Sequence, residues 1–104
     1  PKGFDLAAYM KKVFSMFGGE EQTVKLRFDN ALVGVVFDKF GKNVSVIKAD
    51  EHSFYTCNRI SVSPSFFGWL FQFGDKVSII GPESVREAYL NALDEARATA
   101  TAKH

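Results

Sequence analysis

Ser63-Pro64-Ser65-Phe66-Phe67-Gly68-Trp69-Leu70-Phe71-Gln72-Phe73-Gly74 is a complete helix in outline. Ser63 offers a side-chain oxygen for a capped start, and Pro64 stands where its missing N–H costs nothing. Gly74 stands where a left-handed closing residue is expected. Six of the eight residues 66–73 are large and apolar. At about 3.6 residues per turn, Phe66, Trp69, Leu70 and Phe73 share one face. Phe67 and Phe71 fall on a second face, which a helix with one wet side does not need. That pair is expected to form an interface ridge, covered by something beyond the core of its own domain.

Upstream, Thr23-Val24-Lys25-Leu26-Arg27-Phe28 alternates cleanly. Val24, Leu26 and Phe28 face one way, and Lys25 and Arg27 the other, as in a half-buried strand. Asp29-Asn30 offers a cap for a helix over 31–40, with Val33, Val36, Phe37 and Phe40 as its buried stripe and Gly41 as its end. Residues 43–48, with Val44, Val46 and Ile47, read as a strand. A polar turn over 49–52 leads into a second strand over 53–62, so the two are expected to form a hairpin. Phe54, Ile60 and Val62 agree on an inward side, which by count also takes in Thr56 and Asn58. A bulge near Asn58 is one resolution. Tyr55, Cys57 and Arg59 then point outward.

Downstream, Asp75 reads as a turn, and 76–80 as a short strand with Val77 and Ile79 on one side. Gly81-Pro82-Glu83 opens a last helix, its acid near the positive end of the dipole. Val85, Tyr89, Ala92, Leu93 and Ala96 line one side, and the Ala/Thr-rich end past Arg97 is expected to fray. The order β-α-β-β-α-β is the ferredoxin-like, split βαβ plan of the α+β class. It implies a four-stranded antiparallel sheet with two helices on one face and the other face open, here followed by a C-terminal helix.

Residues 1–22 precede this unit, which spans 23–104, and read as a linker helix. Asp5 caps it; Leu6, Tyr9, Met10, Val13 and Phe17 recur at helical spacing; Gly18-Gly19 stops it. Residues 20–22 read as a solvated turn. The stripe either packs on this domain or bridges to a preceding domain or a twin subunit, which makes Tyr9 and Val13 interface candidates. The chain begins at Pro1 without Met, as a piece of a longer protein would.

The 104 residues carry a net charge of +1, with 46% hydrophobic residues and 11 Phe. That suits one domain with a packed core and gives no general pull toward nucleic acid. A single Cys excludes an internal disulfide and makes a reduced, cytoplasmic setting the default. No apolar run approaches the ~20 residues that span a bilayer, so no membrane partner is expected. His52 lies in a turn without Cys or carboxylate at metal spacing, so neither a metal site nor a cofactor is expected. Cys57 has no His partner and reads as an inert thiol. Acylphosphatase-type catalysis on this plan needs an anion-cradling loop with an Arg after the first strand, and Phe28-Asp29-Asn30 puts an acid there. No catalytic residue is assigned, and the chain reads as a non-enzyme. The open sheet face remains, where Lys25, Arg27, Tyr55 and Arg59 are candidates for binding an anion or stacking a base.

Several runs, taken in order, resemble the C-terminal part of bacterial WYL-domain transcriptional regulators. They are Phe4-Asp5-Leu6, Tyr9, Phe14-Ser15-Met16-Phe17-Gly18-Gly19, Val24-Lys25-Leu26-Arg27-Phe28, Trp69 to Val77, and Gly81-Pro82-Glu83-Ser84-Val85-Arg86-Glu87. The resemblance covers nearly the whole chain. It implies the ferredoxin-like extension called WCX, together with the helix leading into it. Such an extension helps dimerisation and signal relay, as a homodimer and against other domains of its chain. The winged helix-turn-helix that binds DNA and the central Sm-like domain that senses a nucleotide or single-stranded nucleic acid have no counterpart here. No ligand residue carries over. The alternative is a stand-alone ferredoxin-like module holding a nucleotide or short single strand on Lys25, Arg27 and Arg59.

Overall fold

The computed structural model describes residues 21–102. The expected helix over 5–17, with Tyr9 and Val13, lies outside the described residues. The elements run β1 (Glu21–Asp29), a 3-10 turn (Asn30–Leu32), α1 (Val33–Phe40), β2 (Ile47–Lys48), β3 (Ser53–Ser61), α2 (Pro64–Phe71), a second 3-10 turn (Gly74–Lys76), β4 (Val77–Gly81) and α3 (Glu83–Thr101). This is an α+β chain with one four-stranded antiparallel sheet in the order β2-β3-β1-β4.

The alternation in β1 does what its spacing demands. Val24, Leu26 and Phe28 are wholly buried. They meet Phe54 and Ile60 of β3, Val77 and Ile79 of β4, Val36 of α1, Phe66, Phe67 and Leu70 of α2, and Val85 of α3 in one core. Each large side chain buried there contributes about 1.5–3 kcal/mol relative to exposure. Phe28 stacks on Phe54 at 5.6 Å and meets the edge of Trp69 at 6.2 Å. Trp69 also packs edge-on against Phe40 and Phe73, while Lys39 covers its ring from 5.2 Å. Trp69 is therefore half-buried at the rim of the core.

Several expectations are corrected. β1 starts at Glu21, so Glu21 and Gln22 belong to the strand and pair with Ser61 and Ile60. The strand expected over 43–48 contracts to Ile47–Lys48, because only those residues find partners, Tyr55 and Phe54. The β1–β3 register runs unbroken from Glu21↔Ser61 to Asp29↔Ser53, without a bulge at Asn58. Thr56 and Asn58 simply face inward, leaving the Thr56 hydroxyl and the Asn58 amide nitrogen buried without a partner. The bulge lies instead in the β1–β4 pairing, between Lys25 and Leu26.

The stripe of α1 is also rotated. Val36 is buried and Leu32 and Phe40 pack on the core, whereas Val33 and Phe37 are 38% and 39% exposed. The chain enters through a 3-10 turn, which advances about 120° per residue and changes the phase read from Ala31 onward. α3 stays helical to Thr101, whose hydroxyl donates to the Arg97 carbonyl at 3.0 Å. Past Leu93 its side chains are exposed, Ala96 included.

α2 forms as its caps dictate. The Ser63 Oγ accepts from the Phe66 N–H at 3.3 Å, Pro64 opens the helix, and Gly74 follows at φ +58. Its second face is not an exposed ridge. Phe67 is 8% exposed and packs against Phe66 and Tyr89 at 6.0 and 5.3 Å. α3 supplies the cover that the helix needed. Phe71, one turn on, is 62% exposed.

Candidate interaction surface

β1 and β3 are the central strands, and their outward residues make a face that none of the described helices covers. Side chains alternate along a strand, so the buried Val24, Leu26 and Phe28 force Lys25 and Arg27 to the other side. The register places Lys25 beside Cys57, Arg27 beside Tyr55 and Thr23 beside Arg59. All four expected binding residues, Lys25, Arg27, Tyr55 and Arg59, therefore share this face. Cys57 is exposed between them. Ile47 of β2, opposite Tyr55, is 57% exposed.

The cations here are engaged within the chain. Arg27 donates through Nε to the Ser53 hydroxyl at 2.9 Å and through a terminal nitrogen to Asp50. Arg59 lies 3.8 Å from the Glu21 carboxylate, with both side chains more than half exposed. A contact that long and wet contributes at most about 1 kcal/mol. The Lys25 ammonium sits 4.3 Å from the centroid of the Tyr55 ring, a cation–π contact.

Asp50 organises the hairpin turn. One carboxylate oxygen accepts from the His52 N–H at 2.7 Å and from the Ser53 hydroxyl at 2.9 Å. These donors, led by the His52 amide, hold the carboxyl below its ordinary value, with Arg27 adding to the effect. The turn is tied to the end of β1 as well: the Asn30 N–H donates to the His52 carbonyl at 2.8 Å and its side-chain amide to the Glu51 carbonyl at 3.0 Å. Residues 50–52, which read as a plain solvated turn, thus fix the Arg27 guanidinium. The signal was present as Asp50 three residues before Ser53, the spacing of a side chain that caps its own turn.

Beside this cluster is an open recess of about 330 Å³, lined in part by Arg27, Asp29, His52, Asp75 and Lys76. Both signs of charge line it. Among the described residues, no group of three or more His, Cys, Asp or Glu side chains is gathered to hold a metal. No described helix is long and apolar enough to cross a membrane. Of the expected interface pair, Phe71 is available at the surface and Phe67 belongs to the core. No family model matches the chain, and no curated protein matches it.

Proposed function

We propose that this chain is the ferredoxin-like C-terminal extension of a WYL-type bacterial transcriptional regulator. In this reading it is a non-catalytic, cytoplasmic module that relays effector state and mediates contacts with other domains and a second subunit. The element order and the sheet order β2-β3-β1-β4 support the split βαβ plan. The ordered runs from Val24 to Phe28, Trp69 to Val77 and Gly81 to Glu87 support the regulator family.

The observation that carries a contact role over a small-ligand role is the state of the open face. Arg27 is held by Asp50 and Ser53, Arg59 lies by Glu21 and Lys25 lies over Tyr55. A free phosphate would have to displace those partners. A protein surface of mixed charge can use the face as it stands. The DNA-binding and effector-sensing steps then belong to domains upstream.

The test is the reading frame before Pro1, followed by effector response of the full-length protein. A helix-turn-helix and a central Sm-like domain are expected there, and an unrelated catalytic domain would overturn the reading. The stand-alone alternative is tested by titrating short single-stranded DNA at low salt. Salt-sensitive binding by this chain that Arg27→Ala with Arg59→Ala weakens would favour it.

A further inference from the structure

The recess beside the Arg27–Asp50 pair takes its walls from separate parts of the chain. Asp29 stands at the end of β1, His52 in the hairpin turn, and Asp75 and Lys76 in the 3-10 turn before β4. Its floor is the outward side of the sheet, where Arg27 of β1 lies opposite Ser78 of β4. At about 330 Å³ it is at the small end of ligand sites. Among its lining residues Val77 alone is apolar, so a greasy ligand finds little there to cover it.

The charges in the recess divide into engaged and free. Arg27 and Asp50 hold each other and Ser53. The ion pairs among the described residues are Arg27–Asp50, Arg59–Glu21 and Arg86–Glu83. Lys76 and Asp75 therefore line the recess with no ion-pair partner among the described residues. Asp29 gives one carboxylate oxygen to the Ala31 N–H at 2.9 Å and keeps the other. The hydrogen bonds of His52 are those of its backbone, which leaves its ring nitrogens open.

We propose that this recess binds a free α-amino acid with a short or polar side chain, its carboxylate on Lys76 and His52 and its ammonium on Asp75 and Asp29. The inference goes beyond the regulator reading and does not depend on it.

The lining selects a dipolar molecule over a single ion. Phosphate or another small anion meets the carboxylates of Asp29, Asp50 and Asp75, and like-charge contacts of that kind are penalised. A simple amine meets the Lys76 ammonium and the Arg27 guanidinium instead. Among the described residues the acids are not gathered to hold a metal ion. A zwitterion satisfies both signs and leaves the net charge of the recess unchanged. The walls are also set before any ligand arrives. Asp50 ties down the hairpin turn through the His52 N–H and the Ser53 hydroxyl, and the Asn30 N–H joins the His52 carbonyl to the end of β1. Such preorganisation lowers the ordering cost of binding. His52, Asp75 and Lys76 are exposed, and wet charge contacts are individually weak. The expected affinity is therefore about millimolar.

Amide NMR of the 104-residue chain, titrated with L-serine at constant pH and ionic strength, is expected to shift the signals of His52, Asp75 and Ser78 first, with a dissociation constant of about 1 mM. Acetate and methylamine each carry one half of the zwitterion's charge and are expected to bind about tenfold more weakly or worse. Lys76→Gln and Asp75→Asn are each expected to weaken L-serine binding about tenfold, with unchanged circular dichroism spectra. A chain whose amides do not move at concentrations far above that constant overturns the proposal. Acetate binding as tightly as L-serine makes the recess an anion site, and L-serine binding that survives both substitutions puts the ligand elsewhere; either result overturns it as well. None of these outcomes touches the regulator reading, which the reading frame before Pro1 tests separately.

Discussion

Thr56 is wholly buried on the inner side of β3, and its hydroxyl has no partner. A buried hydroxyl without a hydrogen bond is a net cost, and valine has the same shape without it. Thr56→Val is expected to stabilise the fold by about 1 kcal/mol, read from the midpoint of urea unfolding. Phe67 and Phe71 divide in the same assay. Phe67→Ser removes a buried ring and is expected to cost about 3–5 kcal/mol, whereas Phe71→Ser stays within about 0.5 kcal/mol of the parent. Asp50 governs acid behaviour. Its folded carboxyl lies below the ordinary 3.8, so the folded state binds its proton less readily than the unfolded chain does. The stability it contributes is present in full above that ordinary value and is lost as pH falls through the lowered one. Asp50→Asn is expected to flatten the acid limb of thermal stability against pH, while the neutral limb keeps its shape.

At the scale of elements, α2 depends on two single positions. Ser63→Ala removes the oxygen that accepts from the Phe66 N–H and is expected to cost about 1 kcal/mol. Gly74 sits at φ +58 with open space where a Cβ would stand. Gly74→Ala is therefore penalised through the backbone alone, by about 1–2 kcal/mol, and chemical denaturation of both variants checks the pair. These ends were legible in the sequence because caps act within three or four residues. The facing of α1 was not, because Asn30–Leu32 turns at a different pitch from the helix it feeds. Neither was the length of β2: Val44 and Val46 have strand-forming shapes, yet a strand exists only where a neighbour accepts its hydrogen bonds. Arg27 shows the same limit at the open face. Its outward direction followed from alternation, but its capture by Asp50 depends on where a turn between two other strands comes to rest.

For the molecule as a whole, the core sits against one sheet face and ends near Leu93. The rest of α3 has its side chains exposed. Deleting residues 94–104 is expected to move the melting temperature by less than about 4 °C, since little apolar area is lost, and calorimetry would measure it. The α+β class and the parity of β1 and β4 were readable because a period of two survives any tertiary arrangement, whereas the polar Thr56 and Asn58 on the inner side of β3 blurred its period and left its register open. The burial of Phe67 was not, since its cover, Tyr89, lies a full strand and a turn further along the chain. One further consequence follows from β2, which is only Ile47–Lys48. Amyloid-type growth recruits a free strand along a run of unpaired N–H and C=O groups, and a flank this short, ending in a lysine, offers almost no template. β2 pairs only with Tyr55 and Phe54 of the nine-residue β3, so the template on that side is the outer edge of β3 past Tyr55, which no described strand pairs and which Arg59 guards with its charge.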